Sequence, residues 1–342
     1  MMTEGYFGGG NTAKGFVNYL GAISKDTERL YILKGSSGCG KNSLMKKVAE
    51  EAERRGEAVE RIYCASDPKS LDGVILWDRK TGVLDGTAPH ETTPRLVGAM
   101  DNLVDLGEYL NVPMLRERKK EIKELTEKKA ECYGRAYGLL AACGRIRNER
   151  RRITDGALLS SKLSAAAGRY AEGLCKKEKF EIKLRPMYAL CSEGTVRAEG
   201  CAGKELWQIK DCADIKGRFF AALVFAAAER GAGLTLSPDP TEPSRLAAVR
   251  HEGSGVLFAE DAFGEPARFV NMERFIDRKA LVPFKRRLKL LSKTENALKE
   301  TAVEALCEAR KHHLNLEALY IPAMNFDRVN ERTERLIKEI FA

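Results

Sequence analysis

At 342 residues, 44% of them hydrophobic, the chain is long enough to bury a large core and points to about two domains, which excludes a disulfide-dense miniature scaffold. Its net charge of +9 raises nucleic acid as a partner, but the basic residues alternate with glutamates, as in Arg116-Glu117-Arg118-Lys119-Lys120-Glu121. The two locally unbalanced clusters, Arg145 to Arg152 and Lys285 to Lys289, lack the interleaved aromatics that stack bases, so nucleic acid is the less favoured partner.

The N-terminus has no basic start and no apolar core segment, so no secretory signal is expected. Gly8-Gly9-Gly10-Asn11 reads as a turn or flexible loop, and residues 14–20 as a short amphipathic piece packed beside the first strand. Leu30-Tyr31-Ile32-Leu33-Lys34 is a short apolar strand. It runs into Gly35-Ser36-Ser37-Gly38-Cys39-Gly40-Lys41-Asn42-Ser43, a glycine-rich loop that opens a helix ending at Gly56.

These are the parts of a phosphate cradle. Glycines at 35, 38 and 40 let backbone N–H groups turn inward, and Lys41 places an ammonium against the outer phosphates. The pattern asks for Ser or Thr after the lysine, to hold Mg²⁺, and the chain has Asn42 there. Nucleotide-binding residues are therefore expected at 35–43, with Asn42, Ser43 and Asp85 as the candidate Mg²⁺ ligands.

A strand over 58–64 and two short apolar runs, Val74 to Trp77 and Gly82 to Asp85, follow. Asp85 ends its strand where a metal-binding carboxylate would sit, with Asp67 competing for the role. His90 and Glu91, just beyond, are candidates for positioning the attacking water, which makes Lys41, Asp85 and His90 the catalytic set. From about residue 92 to 181 the pattern is helical. Ile122, Leu125, Lys129, Cys132, Ala136, Leu140 and Cys143 form one stripe, and a second helix over 158–180 is expected to fold back on it as a hairpin.

Nine cysteines, odd in number and scattered, include no Cys-x-x-Cys pair, and no His stands at metal-ligand spacing, a pattern of reduced thiols in a cytoplasmic protein. The longest apolar run, 219–228, is about half of the roughly 20 residues a membrane span needs, so it reads as a buried helix and no membrane partner is expected.

Compared with itself, the chain repeats. Leu206-Trp207-Gln208-Ile209-Lys210 matches 30–34, Lys216 falls on Lys41, 242–246 on 67–71, 255–257 on 82–84, and 272–277 on 106–111. The second copy has Asp211-Cys212-Ala213-Asp214-Ile215-Lys216 where the first has its glycine-rich loop. Carboxylates there would repel a phosphate, so one nucleotide site is expected, with Arg218 or Arg230 considered as groups reaching across to it. The fold class expected is α/β, as two tandem P-loop NTPase-type modules, 1–184 and 185–342, each with an appended helical hairpin and the second degenerate.

On the runs 29–35, 44–47, 64–68, 70–73, Asp85-Gly86-Thr87-Ala88-Pro89-His90 and Tyr320-Ile321-Pro322-Ala323-Met324-Asn325-Phe326, the chain resembles a little-characterised bacterial family of tandem P-loop ATPase-like proteins, found chiefly in spore-forming and related anaerobic Gram-positive lineages. The resemblance implies ATP binding in the first module, with hydrolysis or phosphoryl transfer as the reaction. The leading expectation is an ATP-binding protein with slow Mg²⁺-dependent ATPase activity. The alternatives are a nucleotide sensor that engages a protein partner through its helical hairpins without turnover, and a kinase of a small molecule or nucleotide.

Overall fold

The computed structural model describes residues 4–174, 180–260 and 265–342. The strand before the glycine-rich loop, Arg29–Lys34, buries Leu30, Tyr31, Ile32 and Leu33 on both of its faces, as central strands of mainly parallel sheets do. It lies in a six-stranded sheet between Thr81–Asp85 and Asp101–Asp105, parallel to both. Beyond Thr81–Asp85 come Leu71–Leu76, Val59–Tyr63 and Glu4–Phe7. Only Leu71–Leu76 runs against the rest, so the helix Lys41–Arg54 crosses over to a parallel strand that is not its neighbour.

A second six-stranded sheet has the same order and directions. Arg268–Asn271, Glu205–Lys210, Val256–Ala259, Leu246–His251, Leu234–Pro238 and Ile182–Leu184 follow one another, and Leu246–His251 is the one reversed strand. The matches read from sequence fall on like elements. Lys41 and Lys216 each open the helix that follows the central strand, and Leu71 and Leu246 each open the reversed strand. The run 219–228 lies inside the helix Lys216–Ala228, with Phe219, Phe220 and Leu223 in the core.

Three local expectations are corrected. Gly9–Thr12, fully buried, and Gly15–Asn18, half-buried, form an antiparallel hairpin, not a flexible loop. Gly9 serves packing there, since a Cβ on it would meet the Phe16 ring at 2.3 Å. Second, the region read as helical from residue 92 contains the edge strand Asp101–Asp105. It is held by Asp101, which accepts hydrogen bonds from Leu30 N (3.1 Å) and Arg95 (2.7 Å).

The third correction concerns the hairpins. Lys119–Asp155, 37 residues and so roughly 55 Å long, packs antiparallel against Lys285–Tyr320. Cys132, Ala136, Leu140 and Cys143 of the expected stripe are buried, and Ala136 and Leu140 meet Ala302, Ala305 and Leu306. The next helix, Ser160–Leu174, does not fold back on its predecessor. It packs on Lys216–Ala228 in the second core, and residues 175–179 of the expected 158–180 helix lie outside the described residues.

In return, Phe326–Phe341 sends Val329, Leu336, Ile340 and Phe341 into the core beneath Tyr31, Leu33 and Leu44. The exchange is reciprocal to the single hydrogen bond. Asp277 N donates to Ala157 O and Leu159 N to Phe275 O in one half; Asn111 N donates to Ala323 O and Asn325 N to Tyr109 O in the other. Each core therefore draws on residues from both sides of position 184. Among the described residues, no helix is long and apolar enough to cross a membrane.

Candidate functional site

Ligand sites in open α/β sheets gather beyond the carboxyl ends of the parallel strands. At that edge of the first sheet the chain brings together the glycine-rich loop, the end of Thr81–Asp85, the segment after Val59–Tyr63 and the start of the reversed strand Leu71–Leu76. In the loop, Gly35, Gly38 and Gly40 have φ of +146°, +74° and +93°, conformations that only glycine adopts without strain. Gly40 caps the helix Lys41–Arg54 with no side-chain hydrogen bond, so its first N–H groups have no partner from a capping side chain. Ser36 adds a buried hydroxyl with no hydrogen-bond partner.

Lys41 folds back over the loop. Its Nζ donates to Gly35 O (2.7 Å), Ser36 O (3.2 Å) and Thr87 Oγ1 (3.1 Å), and it lies 3.5 Å from Asp85 Oδ2. The two ionic side chains are 11% and 14% exposed, a setting in which their attraction is weakly screened. Asp85 holds its place by accepting Thr87 N–H at 2.8 Å, and Thr87 Oγ1 donates to Gly35 O at 3.0 Å. Thr87 was missed as a site residue in the sequence, although an Asp-Gly-Thr turn directly after an apolar strand signals such a clasp.

The other expected site residues are placed differently. Asn42 spends its carbonyl on Leu71 N (3.0 Å), tying the helix to the reversed strand, and Ser43 is exposed. Cys39 turns inward among Leu44, Met45 and Leu106, where burial pushes its thiol up against the pull of Lys41. Ser37 stays in the loop, half-buried. Asp67, the competitor of Asp85, pairs instead with Arg310 of the long second-half helix at 3.0 Å. Glu91 is exposed.

His90 is 7% exposed and directs Nε2 at Asp72 Oδ2, 3.2 Å away, with Phe16 packed edge-on to its ring at 4.8 Å. Burial raises the Asp72 carboxyl to about 6, against the lowering influence of His90. Burial likewise pushes the neighbouring Cys64 thiol well above its ordinary value.

The loop is covered by the far end of the chain. A Cβ on Gly38 would meet Ile321 Cγ1 at 2.9 Å, and one on Gly40 would meet Val329 Cγ1 at 3.2 Å. In the second half, the corresponding loop closes on itself. Asp211 Oδ2 accepts Lys216 N–H at 2.6 Å and Oδ1 accepts Ala213 N–H at 3.0 Å, so a carboxylate of the chain occupies the helix terminus. Asp214 is held by Arg245 (2.9 Å) and Arg151 (3.5 Å), and Lys216 pairs with Glu260. Arg218 is bound to Asp155 at 2.5 Å and Arg230 donates to Ala226 O of its own helix, so neither is extended toward the first-half loop.

Comparison with protein-family models, curated proteins and solved structures returns no match. The functional reading therefore rests on the geometry of this chain.

Proposed function

We propose that the chain binds ATP through one phosphate cradle, residues 35–43, in the first of two duplicated P-loop-type modules. The observation that carries this reading is the meeting of Lys41 and Asp85, 3.5 Å apart, at a helix terminus with no capping side chain and between strands in parallel register. The second half supports it by contrast, because there the same terminus is filled by Asp211. Shared strand order, shared helix starts and reciprocal packing favour a duplication, in keeping with the resemblance to tandem P-loop ATPase-like proteins.

The residues fit a polyphosphate. Positive-φ glycines and the N–H groups of a helix terminus without a capping side chain would take its oxygens, and Lys41 can exchange the carbonyls of Gly35 and Ser36 for phosphate. Mg²⁺ would supply charge neutralisation between phosphate oxygens. Asp85 is the carboxylate available to hold it, while Asn42 is committed to Leu71 and Ser43 is exposed. Slow Mg²⁺-dependent hydrolysis is the reaction we assign. Nucleotide sensing without turnover is the second reading, favoured by the seating of Ile321 and Val329 on the loop, which ties the cradle to the helix pair shared by both halves.

Equilibrium binding of ATP and GTP, with and without Mg²⁺, on wild type and Lys41→Ala tests the assignment. Loss of the lysine is expected to weaken ATP at least tenfold, about 1.4 kcal/mol. Equal affinity in the variant overturns the cradle. Phosphate release that disappears in Asp85→Asn supports hydrolysis, and binding with release at background supports the sensor.

A further inference from the structure

One cluster beside the cradle has only His90 in the sequence-based catalytic set, and the cradle of residues 35–43 uses none of its members. Cys64, Asp72 and His90 each offer a ligand atom, and these atoms lie within 4.8 Å of one another. The three residues are far apart in spacing pattern but converge through the sheet. Cys64 follows Val59–Tyr63 just past an irregularity in its pairing, Asp72 is the second residue of the reversed strand, and His90 lies in the turn after Thr81–Asp85. Cys64 N donates to Ser70 O at 2.9 Å and His90 N to Thr87 O at 2.9 Å, so the backbone fixes two of the three positions without help from the side chains.

Asp72 is 3% and His90 7% exposed, yet Asp72 Oδ2 accepts no hydrogen bond and His90 Nδ1 has no partner. Oδ2 and Nε2 face each other at 3.2 Å, an ion-pair distance, in an alignment that makes no hydrogen bond, and the Cys64 thiol lies against the same carboxyl. Buried polar atoms left without hydrogen bonds are costly, and an ion held between the three groups would satisfy them. Zinc takes nitrogen and oxygen at about 2.0–2.2 Å in a tetrahedron, whose N···O edge is then about 3.3 Å. A thiolate, an imidazole and a carboxylate together suit zinc, not magnesium or calcium, which prefer all-oxygen shells.

We propose that Cys64, Asp72 and His90 form a zinc site. The thiol gives up its proton to solvent as the zinc–sulfur bond forms, Asp72 binds through Oδ2, and His90 binds through Nε2. Three protein ligands leave one position for water or another ligand, the arrangement of zinc sites that do chemistry or bind in turn. Phe16 against the imidazole and the hydroxyl of Tyr133 on Ser66 (3.1 Å) supply the outer wall. Asp72 lies one residue before Gly73, whose partner is Leu84, and so beside Asp85 on the neighbouring strand, the residue that Lys41 approaches to 3.5 Å. The proposal does not depend on ATP being the nucleotide or on any nucleotide binding at all.

The test uses the full chain, stripped with a chelator and titrated with Zn²⁺ and with Co²⁺. One equivalent is expected to bind, and the cobalt form should show a sulfur-to-metal charge-transfer band in the near ultraviolet with intense tetrahedral bands in the visible. Cys64→Ser should abolish the charge-transfer band. Asp72→Asn and His90→Gln should each lower zinc affinity at least roughly tenfold, with folding checked by circular dichroism. Cys212→Ser and Lys41→Ala should keep both the stoichiometry and the spectrum, which separates this site from the cradle. Failure of the wild type to take one equivalent, or a charge-transfer band that survives Cys64→Ser, overturns the proposal.

Discussion

Leu336 tests the reciprocal exchange of helices directly. It is fully buried, on the last helix, yet its neighbours are Leu33, Met45 and Val48 of the first sheet and its helix. Leu336→Ala removes about three methylene-sized groups from a packed site, and large-to-small changes of this kind cost about 2–5 kcal/mol, so about 3 kcal/mol is the working figure. The loss falls on the core that holds Arg29–Lys34 and Lys41–Arg54, nearly 300 residues earlier in the chain. Amides there that exchange by opening of this core should exchange about a hundredfold faster, because 1.4 kcal/mol is one power of ten. Hydrogen exchange read by mass spectrometry on peptides covering 29–54 and 205–228 is the assay. Faster exchange confined to 29–54 is expected, and Leu163→Ala, in the second core, should give the opposite pattern. Leu336→Ala acting mainly on 205–228 would refute the exchange.

Asp239 is held down to about 2: burial works to raise it, but Arg147 and the Thr241 hydroxyl and N–H prevail. A carboxylate depressed in the folded state adds stability that is complete above its ordinary value near 4 and is lost as pH falls through about 2. Chemical denaturation between pH 5 and 2 should therefore show a decline of about 2 kcal/mol that Asp239→Asn flattens. Among the described cysteines, thiol labelling should strike the exposed Cys212 first and leave Cys39 untouched with or without nucleotide until the chain unfolds, since Cys39 is in the core and its thiol is pushed up by burial. Asp211→Ala removes the carboxylate that closes the second loop and should cost about 1 kcal/mol in thermal or denaturant unfolding, with no gain in ATP binding by the second half.

Much of this was legible from local pattern. A strand leading to spaced glycines and a lysine can hardly be anything but a loop wrapped around a helix terminus, and the likeness of the two sheets was legible because Lys216, Leu246 and Met272 open the same elements as Lys41, Leu71 and Leu106. What stayed hidden was choice of partner. The stripe on Lys119–Asp155 states which face is apolar, but Ala136 and Leu140 fit one alanine-rich helix as well as another, so nothing local announced Lys285–Tyr320. Gly9 was misread for a similar reason, since a glycine demanded by the Phe16 ring looks the same in sequence as one demanded by a turn. Asn42 was weighed as a metal ligand because its use on Leu71 depends on a strand 29 residues away. Cys64, Asp72 and His90 escaped notice as a group because their spacings belong to no local metal motif and are set by the order of strands in the sheet.

The seating of Ile321 and Val329 on the glycine loop also bears on how the molecule is made. The strand and loop come early in the chain, while the side chains packed over them stand nearly 300 residues later, so this part of the first core is assembled from segments distant in sequence. A loop held in this way feels changes made far along the chain: a substitution at Ile321 or Val329 alters the setting of Gly38 and Gly40 without touching the loop itself.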